Sequence, residues 1–261
     1  MKFVAFTIKN VFRDRIFLMI LSFVFVYAAI PFFSYFSMRQ LQEISITMSI
    51  SLNSFILLIL SLFGSIYTIW RDIERKYTFT TLSFPVTRIN YFTGRYIGFV
   101  SVLFFITVIN LILGLIAIKI SAGFYKSELP ILWSNIALAY FFSLLKYCIV
   151  LGFGFLFASF STSFFTPVFS TIAIFLAGNS IQGIYEYVLK ESENSSAFLK
   201  WVVSIFYYIL PNLSAFDMTS YAAYSINMNI KSVMFSIIYF VFYLSIVMTF
   251  AVLIFNRRDL K

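Results

Sequence analysis

The chain contains no histidine and one cysteine, Cys148, which sits inside an apolar run. The first absence removes the commonest metal ligand and the usual neutral-pH general base. The second rules out an internal disulfide and leaves the redox compartment unread. No carboxylate lies deep in an apolar run and no Cys–base pair is evident, so catalytic and metal-centred roles are disfavoured, and no cofactor is expected on this chain. Phosphate-cradling G-x-x-x-x-G-K-[ST] is also missing, so any ATP hydrolysis belongs to another polypeptide. No Pro-, Gly- or Ser-rich linker, soluble domain or repeat of roughly 20–50 residues interrupts the sequence, which reads as one membrane domain over 1–261. Charge is scarce too: 11% of residues are Asp, Glu, Lys or Arg, against 61% hydrophobic and 21% aromatic. A soluble domain of 261 residues cannot hide that much apolar surface, so an all-α integral membrane protein is expected.

What is present supports six spans, at about 16–36, 50–70, 97–118, 131–157, 164–181 and 232–255. Each is long enough for a hydrocarbon core of about 30 Å. Residues 1–15 set Lys2, Lys9, Arg13 and Arg15 among Phe3, Phe6, Val11 and Phe12, which suits a helix lying in the membrane interface. A cleavable signal does not fit, because the apolar run continues to Phe36 without an A-x-A site. Between spans five and six, Trp201 to Leu210 forms a short apolar core ending at Pro211, which reads as interfacial or re-entrant.

With six spans, one side carries twelve basic and four acidic residues and the other six of each. The basic side belongs in the cytoplasm with both termini; a seventh span would move Arg257 and Arg258 outside. The formal charge of +9 is spread between spans, so the membrane explains it and nucleic acid is not expected.

Residues 71–96, "RDIERKYTFTTLSFPVTRINYFTGRY", form the most polar long stretch between spans. It is readable as a solvated connection or as a docking element. Its length exceeds a tight turn, it retains Ile73, Tyr77, Phe79, Leu82, Phe84, Val86, Ile89 and Tyr91, and Pro85 divides it. The stretch resembles the segment after the second span in permease subunits of ABC-2-type ATP-binding-cassette transporters. Asp72, Glu74, Arg75, Thr78, Leu82, Pro85, Val86, Thr87, Arg88, Gly94 and Arg95 carry the likeness; Tyr77 stands where a small residue is typical. "LPNLSAFD" at 210–217 looks like the family's external segment before the last span, and "FNRRDLK" at 255–261 like its closing sequence. The nearest group in flavour is the multicopper-enzyme maturation permeases, such as the nitrous-oxide-reductase maturation transporter.

The resemblance implies a six-span subunit of a bacterial or archaeal cytoplasmic membrane, working as an exporter in a dimer with a second copy or homologue. Residues 73–91 would be the coupling helix, docked on two separate ATPase subunits that bind ATP and Mg, and a periplasmic or extracellular accessory protein is a further partner. Arg75, Arg88 and Arg95 would then pair with carboxylates or helix ends on the ATPase, with Pro85 setting a bend. An ion-gradient-driven secondary transporter and a membrane scaffold are the alternatives; the former normally shows intramembrane Asp or Glu.

Lys146 lies about midway along span four, where an ammonium facing lipid costs at least about 2.5 kcal/mol. It is expected to contact acidic or phosphate-bearing cargo or a cross-span partner, or else to snorkel from a slightly shifted span. In span two, Ser54, Ser61, Ser65 and Thr68 fall at helical spacings on one face, fit either for close packing or for lining a path. Gly94 and Gly98 form a G-x-x-x-G that a turn explains equally well, and Asn110, Asn179 and Gln182 are candidates for interhelical bonds.

Overall fold

The computed structural model describes residues 4–5, 7–9, 22–36, 40–74, 87–124, 129–191 and 196–258, and all regular structure among them is helical. A 3-10 stretch, Phe23–Ala29, leads into α1 (Ile30–Tyr35). α2 (Leu41–Ile59) passes through a π segment, Leu60–Ser65, into α3 (Ile66–Glu74). α4 (Arg88–Phe124), α5 (Trp133–Phe160) and α6 (Phe165–Glu186) follow. After them come α7 (Ala197–Ile209), a 3-10 turn (Ser214–Phe216), α8 (Thr219–Ala223) and α9 (Ile230–Arg257).

Among the described residues five helices are long and apolar enough to cross a membrane, Leu41–Asp72, Arg88–Phe124, Trp133–Phe160, Phe165–Leu189 and Ile230–Arg257, or six if the bent pair Ala197–Ile209 and Ser214–Ala223 counts as one span. The chain is therefore an all-α, multi-pass membrane protein. Of the predicted first span only 22–36 is described, and it holds the shorter apolar helix Phe25–Tyr35.

α5 is the axis of the bundle and packs against α2, α4, α6 and α9. Within its apolar window 78% of the residues are buried, against 11% for α9, so α5 is enclosed by protein and α9 turns most of its surface outward. Aromatic contacts knit the interior: Phe92 meets Phe155 at 5.3 Å and Phe255 at 4.8 Å between ring centroids. Midway, Asn110 donates to Asn53 Oδ1 at 3.0 Å and joins α4 to α2, a bond worth about 0.6 kcal/mol in a membrane.

Two predicted starts move by nine residues each, 50 to 41 and 97 to 88. Span two begins at Leu41 because its polar start is absorbed by packing: Gln42 Nε2 donates to the Leu129 carbonyl at 3.2 Å and Glu43 is 8% exposed. Span three begins at Arg88, where Thr87 caps the helix; its hydroxyl accepts from the Asn90 N–H at 3.3 Å. The polar stretch 71–96 is thus helical at both ends.

Between α6 and α9 the helices Ala197–Ile209 and Ser214–Ala223 meet at a 53° bend, the geometry of a broken span or a re-entrant loop. Asn135, at the start of α5, donates to the carbonyls of Tyr221 at 3.1 Å and Ile226 at 3.0 Å, so α8 lies at the bundle end where α9 begins. The elbow before it reaches inward to mid-α6, where the Leu213 N–H donates to the Gly178 carbonyl at 3.0 Å. Pro211 makes the 53° bend: it carries no N–H, and it holds Leu210 in extended backbone (φ −78°, ψ 146°). Gly178 is needed there, since a Cβ would stand 2.6 Å from the Pro211 carbonyl oxygen.

Candidate functional site

The opposite end of the bundle gathers the end of α3, the starts of α4 and α6, and the ends of α5 and α9. Asp72 and Arg95 stand on either side of residues 75–86 and form an ion pair. Arg95 is 2% exposed. Tyr91 donates its hydroxyl to the same carboxylate oxygen at 2.9 Å, and its ring lies 5.8 Å from the Arg95 guanidinium carbon. Arg95 also donates to the Thr7 hydroxyl at 3.2 Å. Thr7 reaches that depth because Gly98 has no side chain; a Cβ there would stand 2.6 Å from Thr7 Cβ. The described part of the N-terminal segment therefore packs into protein at Thr7, where the sequence predicts an interfacial helix.

A second guanidinium relay links this stem to the rest of the bundle. Arg88 donates to the carbonyls of Asn256 and Arg258, each at 3.0 Å. Arg258 donates to Ala158 at 3.2 Å, Ser159 at 2.9 Å and Ser161 at 2.8 Å. These carbonyls belong to the last turn of α5 and the residue after it, where helix acceptors lack partners within the helix. Burial lowers the Arg258 pKa from its ordinary value of 12.5. Trp70 Nε1 donates to the Thr162 carbonyl at 3.4 Å, tying α3 to the α5–α6 connection. The two ends of the polar segment are thus clasped to each other and to α5 and α9.

Arg88 and Arg95, expected to pair with carboxylates or helix ends on an ATPase, both bond within the chain. An arginine this close to an apolar bundle satisfies its donors on the nearest carboxylate and carbonyls. Gly94 lies inside α4, half-buried, away from any turn. Glu74 is exposed. Arg75, Thr78, Leu82, Pro85 and Val86 lie outside the described residues.

The hydroxyl stripe of span two is broken by the π segment, which shifts the helical register. Ser61 donates to the Leu58 carbonyl at 2.9 Å and Thr68 to Gly64 at 2.7 Å, both buried, as packing residues do. Ser54 lies on α2 and is half-buried. The Ser65 side chain lies outside the described residues.

Lys146 is half-buried, with Nζ 5.6 Å from the centroid of the Phe175 ring on α6. Phe216 packs on Phe142, one turn before Lys146, at 6.2 Å between ring centroids, so Asp217 after it lies by the same part of α5. The sequence places no acid near Lys146, because "LPNLSAFD" reads as external; only the inward fold of that segment brings its last residue to α5. Pro211 is the signal that was available.

Among the described residues no group of three or more His, Cys, Asp or Glu side chains comes together as a metal site. No protein-family model matches the chain, and no curated protein matches it.

Proposed function

We propose that the chain is the six-span permease subunit of an ABC-2-type transporter, most simply an exporter, working as a dimer in a bacterial or archaeal cytoplasmic membrane. Residues 73–91 receive force from separate ATPase subunits that bind ATP and Mg, and both termini are cytoplasmic. The observation that carries the reading is the closed stem. Asp72, Tyr91 and Arg95 join the two ends of the segment, and Arg88 with Arg258 ties them to α5 and α9. A push on residues between 74 and 88 would reach four helices as one body instead of dissipating in a loose loop. The sequence resemblance along 72–95, 210–217 and 255–261 supports the same assignment.

Exposed Glu74 and neighbouring Arg75 are the residues for the docking test. Affinity purification of the chain from its native membrane is expected to bring down a Mg-dependent ATP-hydrolysing polypeptide. The Glu74→Lys/Arg75→Glu variant is expected to lose it while still running as a monodisperse peak. Absence of any such companion, or its undiminished retention by the variant, overturns the reading. An ion-gradient-driven transporter draws support from Asp217 beside Lys146, and transport that persists without ATP but stops when the gradient is collapsed would favour it.

A further inference from the structure

Lys146 stands near the middle of α5, roughly 20 Å from either helix end at about 1.5 Å per residue. Among the described residues its ammonium has the Phe175 ring beneath it and no ion-pair partner in contact. Asp217 follows Phe216, whose ring packs on Phe142, one turn before Lys146, at 6.2 Å between centroids, and its Oδ1 accepts from the Thr219 N–H at 3.1 Å. Tyr147 stacks on the same Phe175 ring at 6.1 Å between centroids. The outer side of α6 beside this ring is apolar, with Phe169 and Leu176 exposed.

An ammonium held at mid-depth with an open coordination shell is a poor structural element and a good anion contact. We propose that Lys146 binds the monoanionic headgroup of an amphiphile, of phosphodiester type, with Phe175 and Tyr147 flanking it and Asp217 as the counter-charge that the headgroup displaces. The charge count sets the class. One ammonium and one carboxylate share this part of α5, so a monoanion exchanges for Asp217 evenly, whereas a dianion would leave surplus negative charge in an apolar setting. The apolar flank of α6 suits an acyl chain better than a free ion. The inference rests on the transporter reading only in treating the ligand as cargo; binding itself needs no ATPase.

The test uses the full chain in neutral-lipid nanodiscs, with affinity measured for three probes. Lysophosphatidylglycerol carries the phosphodiester monoanion on a chain. Glycerophosphoglycerol carries the same group without one, and lysophosphatidylcholine is the zwitterionic control. Wild type is expected to prefer lysophosphatidylglycerol over lysophosphatidylcholine by about tenfold, equivalent to about 1.4 kcal/mol. Lys146→Gln should abolish the preference, Lys146→Arg should keep it, and Asp217→Asn should strengthen it. Matching binding of glycerophosphoglycerol overturns the amphiphile assignment, and binding of the lysolipid alone supports it. Equal affinity for the two lysolipids in wild type, survival of the preference in Lys146→Gln, or weakening in Asp217→Asn overturns the proposal. If Lys146→Gln fails to fold, the wild-type and Asp217→Asn comparisons still decide. An intact lipid preference without any ATPase companion would sink the coupling reading alone, and the reverse result would sink this inference alone.

Discussion

Asp72→Asn keeps the shape of the side chain but removes the charge that faces Arg95. Because Arg95 is 2% exposed, water cannot replace the lost partner. Breaking a buried ion pair from one side costs about 3–5 kcal/mol. The Tyr91 and Thr7 hydroxyls still surround the site, and an amide oxygen can still accept from Tyr91, so the lower end, about 3 kcal/mol, is expected. That is roughly a 150-fold change in the unfolding equilibrium. Replacing both partners by apolar side chains, Asp72→Leu with Arg95→Met, is expected to come within about 1 kcal/mol of wild type or to exceed it, because both desolvation costs disappear. The double-mutant cycle should therefore show a coupling of at least about 2 kcal/mol. Unfolding free energies by steric trapping in bicelles would measure it. A cost below about 1 kcal/mol for Asp72→Asn, with single effects that simply add in the double variant, would refute a buried, mutually dependent pair.

Gly178→Ala is expected to cost about 1–3 kcal/mol, since its Cβ meets the Pro211 carbonyl and opens the Leu213 to Gly178 bond; an unchanged melting temperature would contradict the docked elbow. Arg258→Gln removes charged donors from the last carbonyls of α5. A loss of about 1–2 kcal/mol is expected once solvent screening of this half-buried side chain is allowed for, with faster amide exchange near Arg258 and Ser161. Exchange as slow as in wild type would show that the relay does not hold the helix ends together.

Several elements are legible in the residues alone because they depend on local chemistry. α5 and α9 begin and end close to the predicted spans and α6 begins close to its own, since apolar runs bounded by polar residues fix them, whereas α6 runs on past 181 to Glu186. Pro211 identifies the elbow, because an N–H-less residue after a short apolar stretch cannot continue a helix. Thr87 is readable afterwards as an N-cap two residues past Pro85, although the polarity of its surroundings disguised the start of α4. Gln42 and Glu43 show the opposite failure: two polar residues read as a loop lie inside a helix because Leu129, far along the chain, supplies an acceptor for Gln42.

The sequence by itself determined that this chain lives in a membrane, that its backbone is helical and where most helices run, because hydropathy and backbone hydrogen bonding act over one span at a time. Only the tertiary structure decided what its charges do. Arg88, Arg95 and Asp217 look like surface groups on a loop or an outer segment, and long-range folding turns the first two into internal clasps and brings the third to Lys146. A buried charge takes its meaning from whatever neighbour stabilises it, and in this bundle those neighbours lie many residues away.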